Sequence, residues 1–305
     1  MKKAVVTGPT GAVGVALINE LISNDYFVFA ICHKSSNRIN NIPKSKFVKI
    51  IFADLNELLT TENEIENSDV FFHLGWQGTF GDSRNDFSLQ NDNIKYALDS
   101  VMLANNLHCK SYIGVGSQSE YGPTNTKKYP DGPCFPDNFY GAAKLSASYM
   151  TRVLCNKFGI RHNWCRIFSL FGPCDGPYTM IMSSINKMIN NEVSKFTKGE
   201  QIWDYIYSKD AALAFRLIAE KGINNQIYCI ASGEIRKLKD YIISLHDIVN
   251  PNSVIEIGAI DYYPHQAMNL SVDITNLKND TGFMPKYTFE EGIMDLLIEM
   301  KLRKD

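Results

Sequence analysis

The most constraining stretch in this chain lies at its N-terminus. Lys3-Ala4-Val5-Val6-Thr7 is a short apolar, β-branched run. Gly8-Pro9-Thr10-Gly11-Ala12-Val13-Gly14 follows at once, and then residues 15–22, whose apolar positions have helical spacing. A buried strand, a glycine loop and a helix in immediate succession suit few architectures beyond an α/β fold with a parallel sheet. The same order suits a dinucleotide: Gly8 permits the tight turn, Gly11 lets backbone approach a pyrophosphate, and Gly14 lets the helix lie close to the strand. The helix N-terminus then faces the phosphate charge.

Further strands are expected at residues 27–31, 47–52, 69–75, 111–116, 162–168 and 226–230, with helices at 93–106, 139–158, 177–191 and 237–248. This alternation predicts a Rossmann-like, doubly wound parallel sheet over residues 1–170, completed by returning segments near 203–232. Residues 171–305 are expected to form mainly a smaller, mostly helical substrate lobe. Polar, glycine-containing residues 79–90 read as a mobile loop over the site. His73 reads as a core or strand-end residue, and the methionines of 177–191 as core.

Composition excludes several classes. A net charge of −2 with scattered Lys and Arg gives no reason to expect nucleic acid as partner. Seven cysteines without a CxxC pair, and six histidines without clustered spacing, point to reduced thiols rather than a disulfide framework or metal site. No run of about 18 apolar residues exists, and no signal peptide is read, so the expectation is a cytoplasmic protein with no membrane contact.

Two further features carry chemistry. Ser117 stands at the end of the 111–116 strand, where a parallel sheet presents groups to a ligand crevice. Tyr140 and Lys144 are four residues apart on an expected helix, so they share a face. A phenol with an ordinary pKa of about 10 becomes a proton-transfer group when a neighbouring ammonium favours its phenolate. Ser117 would donate to a substrate oxygen, Tyr140 would exchange its proton, and Lys144 would tune Tyr140 and bond the nicotinamide ribose.

In this order, Thr7-Gly8-x-x-Gly11-x-x-Gly14, Asp54-Leu55, Ser117…Tyr121-Gly122, Tyr140-x-x-x-Lys144, Arg166…Phe171-Gly172-Pro173, Asp204-Tyr205-Ile206-Tyr207 and Gly282…Pro285 resemble the extended short-chain dehydrogenase/reductases, the NAD-dependent epimerase/dehydratase family acting on nucleotide sugars. The resemblance implies a nucleotide-sugar substrate and a homodimer paired through helices near 93–106 and 139–158. It places Gly8, Thr10, Gly11, Ala12, Val13, Asp54, Leu55, Leu74, Gly75, Trp76, Asn93, Tyr140 and Lys144 on the cofactor. It places Gln77, Gln118, Ser119, Ser169 and Trp203 on the substrate.

Departures narrow the chemistry. The dehydratase branch has an Asp-Glu pair directly after the catalytic hydroxyl; here stand Gln118-Ser119, with Glu120 one residue out of register. Where the GDP-fucose synthase branch has a cysteine, Ser119 stands. Trp203 replaces an Arg that binds nucleotide phosphate, and Ser169 replaces an Asn. Cys32 occupies the place of the acid that holds the adenosine ribose, and His33, Lys34 and Arg38 follow. Cations without that acid favour a 2′-phosphate, hence NADP(H), with NAD(H) as the alternative. The expected activity is reduction of a nucleotide-linked 4-keto sugar. The alternatives are a 4-epimerase with retained NAD and a non-catalytic dinucleotide-binding regulator.

Overall fold

Lys2–Thr7 forms an interior strand, β1, of a seven-stranded sheet, and its side chains explain the unbroken apolar run. Ala4 and Val6 enter a core with Leu17, Ile18 and Phe215, whereas Val5 enters a second core with Phe71, Val101 and Tyr112. The strand is buried on both faces, so alternation disappears from the sequence. The computed structural model describes residues 1–263 and 266–302.

After β1 come α1 (Ala12–Ile22), β2 (Tyr26–Cys32), β3 (Val48–Phe52), β4 (Val70–His73), α2 (Phe87–Asn106), β5 (Ser111–Ser117), α3 (Phe139–Phe158) and β6 (Arg161–Ile167). The chain continues through β7 (Ser169–Phe171), α4 (Met180–Ile189), β8 (Ser194–Phe196), β9 (Ile202–Trp203), β10 (Tyr205–Tyr207), α5 (Ser208–Lys221) and β11 (Ile227–Ile230). It ends with β12 (Arg236–Lys237), α6 (Leu238–Val249), β13 (Ile255–Ile257), α7 (Thr275–Thr281) and α8 (Phe289–Leu302).

The main sheet has the order β11-β6-β5-β4-β1-β2-β3, and every neighbouring pair in it is parallel. The chain winds outward through β2 and β3, then returns to the other side of β1 through β4. Strand order therefore reverses between β1 and β4, where a doubly wound sheet leaves a crevice beyond its C-terminal edge. Of the returning segments, β11 joins this sheet. Tyr205–Tyr207 instead pairs with Ser169–Phe171 in a separate two-stranded sheet. A third core, with Met182, Met188, Phe171, Tyr205, Tyr241 and Phe289, holds α4, α6 and α8 together.

The helix expected from residue 93 starts earlier, at Phe87, and the segment read as a mobile loop, residues 79–90, holds a 3-10 turn at Gly81–Asn85. Asp86 caps that helix, its carboxylate accepting from Leu89 N at 3.1 Å. The first turn lacks an apolar buried face: Phe87 is exposed, while the buried positions Gln90 and Asn93 are polar.

The glycine loop is fixed by close approach. Gly8 has φ +67°, and a Cβ there would lie 2.9 Å from Gly75 N. A Cβ on Gly14 would lie 2.3 Å from Gly8 O, whereas one on Gly11 would meet nothing within 4 Å. Gly14→Ala should therefore lower stability by about 1–3 kcal/mol, and Gly11→Ala, which meets no neighbour but is a poorer N-cap, by about 0.5–1 kcal/mol. Chemical denaturation of the two variants measures the contrast.

Candidate functional site

The edge of the sheet at β5 is built around Glu120, whose side chain is fully buried. Its carboxylate accepts from Arg166 Nε at 2.6 Å, Trp164 Nε1 at 3.0 Å and Ser117 N at 2.8 Å. Its oxygens are thus engaged beneath the site rather than presented to it. Ser117 is the N-cap of the 3-10 turn Gln118–Glu120, with its hydroxyl oxygen accepting from Ser119 N at 3.2 Å. The Ser117 O–H remains a donor, and it is within hydrogen-bond reach of the Tyr140 phenol.

Tyr140 sits in the first turn of α3, whose cap is Asn138, accepting from Gly141 N at 2.8 Å. A Cβ on Gly141 would lie 2.4 Å from Ser119 O, so glycine is what lets this turn of helix press against the turn after β5. Tyr140 is thereby brought beside Ser117. Burial holds its phenol above the ordinary value, while the Ser117 hydroxyl and the Arg84 charge offset the rise and Glu120 adds to it.

Lys144 is buried, and its Nζ donates to Val115 O at 2.6 Å. The same nitrogen lies 3.8 Å from the Trp76 ring centroid and 5.9 Å from that of Tyr140. Burial lowers the Lys144 pKa to about 7, against which Glu120 pulls upward. Trp76 also meets Tyr140 edge-on, with centroids 6.4 Å apart. His73 is buried at the end of β4, with Nδ1 3.2 Å from Thr7 Oγ1. Burial and then Lys144 lower its pKa to about 3, so it is a neutral strand-end residue.

The cofactor cradle lies on the other side of the crevice. The N-terminus of α1 begins at Gly11 with no side-chain cap and no acid in its first turn. The space beyond the Gly11 α-carbon is open, and an anion there meets free N–H donors and the positive helix end. These features fit a dinucleotide pyrophosphate against Gly8, Thr10, Gly11, Ala12 and Val13. Asn41 donates to Thr10 O at 3.1 Å, tying the β2–β3 connection to this loop.

The ribose edge is less open than the sequence suggests. Cys32 is buried in the core, its thiol pKa raised by that burial. His33 Nε2 lies 3.3 Å from Asp54 Oδ1, and Lys34 Nζ 2.5 Å from Glu57 Oε2. The Arg38 guanidinium donates to Cys174 O. Leu55 and Thr7 crowd Gly75, whose N–H donates to Thr7 Oγ1 at 2.9 Å, next to Leu74. Asn93 spends its amide on the loop: Oδ1 accepts from Gln77 N and Nδ2 donates to Gln77 O, both at 2.9 Å.

Gln118 Oε1 is buried without a protein partner, and Ser119 Oγ accepts from Arg84 Nη2 at 2.5 Å. Ser169 and Trp203 stand apart, on β7 and β9, and the Trp203 indole nitrogen is buried without a partner. Arg84 carried no sequence signal, being a lone cation in a polar segment. Gln90 had one: with Asn93 and Ala97 it continues the helical spacing backward, in polar residues. Among the described residues, no cluster of His, Cys, Asp and Glu suits a metal ion, and no helix is long and apolar enough to cross a membrane.

Comparison with known proteins agrees with this architecture. The model of the NAD dependent epimerase/dehydratase family matches residues 4–231. A trifunctional UDP-glucose 4,6-dehydratase/UDP-4-keto-6-deoxy-D-glucose 3,5-epimerase/UDP-4-keto-L-rhamnose-reductase of Arabidopsis thaliana is 26% identical over 96% of this chain. The chain spans 46% of that protein's length. A dTDP-4-dehydro-6-deoxyglucose reductase of Escherichia coli is 23% identical, with 98% of each chain covered. Among solved structures, a UDP-N-acetylglucosamine 4-epimerase from Methanobrevibacter ruminantium superposes with TM-score 0.89 at 25% identity, covering 99% of each chain. A UDP-glucose 4-epimerase from Thermotoga maritima gives 0.86 at 22%, covering 99% of this chain and 100% of that one.

A lysine whose folded pKa is near 7 binds its proton more weakly than in the unfolded chain, where it holds it to about 10.4. Between those values the unfolded state carries more protons, so stability should rise with pH from near 7 upward. Lys144→Met should remove the part of that rise that begins near pH 7, and should raise Tm at pH 7. Thermal melts of the dinucleotide-free protein from pH 6 to 10 measure it.

Proposed function

We propose that this chain, which belongs to the NAD dependent epimerase/dehydratase family, reduces a nucleotide-linked 4-keto sugar with NADPH. The observation that carries this reading is the turn after β5. Ser117 is set beside Tyr140 there, but the two residues that follow are the neutral Gln118 and Ser119, and Glu120 is buried against Arg166. Water loss needs a positioned acid and base at those places. Carbonyl reduction needs only a hydride donor, a donor to the oxygen and one proton.

Ser117, whose hydroxyl reaches Tyr140, donates a hydrogen bond to the sugar carbonyl oxygen. Tyr140 transfers its phenolic proton to that oxygen. Lys144 favours the phenolate left behind and holds the nicotinamide ribose. When bound, the dinucleotide supplies the hydride to the carbon. Its adenosine end lies along Asp54 and Leu55, and Leu74, Gly75 and Trp76 line its nicotinamide half. Gln118, whose buried oxygen lacks a partner, accepts a sugar hydroxyl. Gln77, Ser119, Ser169 and Trp203 complete the substrate side, with the indole against base or sugar.

NADP(H) is favoured because His33, Lys34 and Arg38 gather at the end of β2, where a ribose-binding acid is absent. A 2′-phosphate would draw Lys34 from Glu57 and Arg38 from Cys174 O. Those tethers, with Asp54 beside His33, favour the second reading, a 4-epimerase that retains NAD. A regulator without catalysis has no use for the assembled serine, tyrosine and lysine. Exposed Met102, Tyr149, Met150 and Val153 on α2 and α3, which pack together, support a homodimer through these helices. The seven cysteines, none of them joined in a disulfide, fit a reducing compartment such as the cytoplasm.

Tyr140→Phe should reduce turnover by at least about 100-fold and leave cofactor affinity and Tm near the parent values. Normal turnover in that variant would remove the assignment. With a panel of nucleotide-linked keto and hydroxy sugars, the reductase consumes NADPH stoichiometrically. Interconversion of two hydroxy sugars without net cofactor change selects the epimerase. Lys34→Ala should weaken NADPH binding by about tenfold and leave NADH binding unchanged, as read by titration calorimetry.

A further inference from the structure

The connection between β4 and α2 carries a cation to Tyr140 that the proposed reaction has not used. Arg84 lies in the 3-10 turn Gly81–Asn85, its guanidinium carbon 4.7 Å from the Tyr140 ring centroid. Its Nη2 donates to Ser119 Oγ at 2.5 Å, so the partner is a neutral hydroxyl and the charge is left directed at the ring.

The turn is held from beneath. Gln90 is buried on α2; its Nε2 donates to Gly78 O at 2.9 Å and Ser83 O at 3.0 Å, and its Oε1 accepts from Trp76 Nε1 at 2.8 Å. Trp76 is the ring against which Lys144 Nζ rests. Two cations thus approach one phenol, Lys144 from the next turn of its own helix and Arg84 from the connection, fixed to each other through Trp76 and Gln90.

They differ in kind. A guanidinium stays charged at any pH the fold survives, whereas a buried ammonium gives up its proton readily. We propose that Arg84 is a positioning residue that supplies the pH-independent charge setting the ionisation of Tyr140, with Lys144 as its orienting partner. This rests on Tyr140 being the proton-transfer group and deepens that reading.

The other charged groups around the phenol do not replace Arg84. Glu120 opposes the phenolate from under β5 and is tied to Arg166. His73, on β4 beside Lys144, is neutral. Lys144 itself is only partly charged near pH 7. As Tyr140 gives its proton to the sugar oxygen, Arg84 stabilises the phenolate that remains, until water returns a proton.

The test needs no sugar substrate, so its outcome is separate from whether a ketoreductase has been correctly assigned. With 3-fluorotyrosine placed at position 140, 19F NMR follows the ionisation of that residue in the full chain. Arg84→Gln should raise its midpoint by about one pH unit, and Arg84→Lys should recover part of the shift. An unchanged midpoint in Arg84→Gln overturns the proposal. So does a rise that Arg84→Lys leaves undiminished, because lost packing rather than lost charge would then move the tyrosine. Ser119→Ala, which removes the hydrogen bond but leaves the charge, should shift the midpoint less than Arg84→Gln.

Discussion

The buried carboxylate of Glu120 is the interaction on which the working edge of this protein depends. A charge taken wholly out of water costs several kcal/mol unless its partners are complete, and leaving one partner alone costs about 3–5 kcal/mol. Here the partners come from two strands: Arg166 and Trp164 from β6, and the Ser117 N–H from the end of β5. The carboxylate therefore locks two strand ends and the intervening turn into one arrangement. Ser117, the turn Gln118–Glu120 and the Tyr140 turn of α3 are all referenced to it. The geometry that the proposed proton transfer needs is thus held by a group outside the proposed transfer.

Against that rigid edge, the opposite wall is assembled from polar side chains of α2. Gln90 and Asn93 use their amides to hold the backbone of the β4–α2 connection, and so place Trp76 and Arg84 about Tyr140. Lys144, wedged between Val115 O and the Trp76 ring, is desolvated enough to share its proton near neutrality. The phenol is buried as well, and burial alone favours its protonated form. The proposed proton transfer needs something that opposes burial, and the Ser117 hydroxyl and the Arg84 charge supply it.

Much of this was legible in the sequence, for physical reasons. Strands buried on both faces leave unbroken apolar runs, and a glycine loop between strand and helix has few structural uses, so β1, α1 and the parallel sheet were readable. Tyr140 and Lys144 were readable because helical spacing is local. What escaped was tertiary. Nothing local marks Arg84, because its role comes from a turn held by Gln90. The early start of α2 was hidden by polar residues on its buried face. Cys32 was correctly placed at the end of β2, but its side chain turns into the core. The adjacent basic residues are engaged by Asp54, Glu57 and a backbone carbonyl, and the sequence shows none of these pairings.

The central claim is that Ser117, Tyr140 and Lys144 serve one net hydride transfer to a sugar carbon. Isotope transfer tests it most directly. NADPH carrying deuterium at C4 of the nicotinamide, on the transferred face, is incubated with the full chain and a nucleotide-linked 4-keto sugar, and the sugar product is weighed by mass spectrometry. One deuterium per product molecule is predicted, bound at the new carbinol carbon, with that labelled product forming at least about 100-fold more slowly when Tyr140→Phe replaces the parent. Product that forms at the parent rate without deuterium would contradict it.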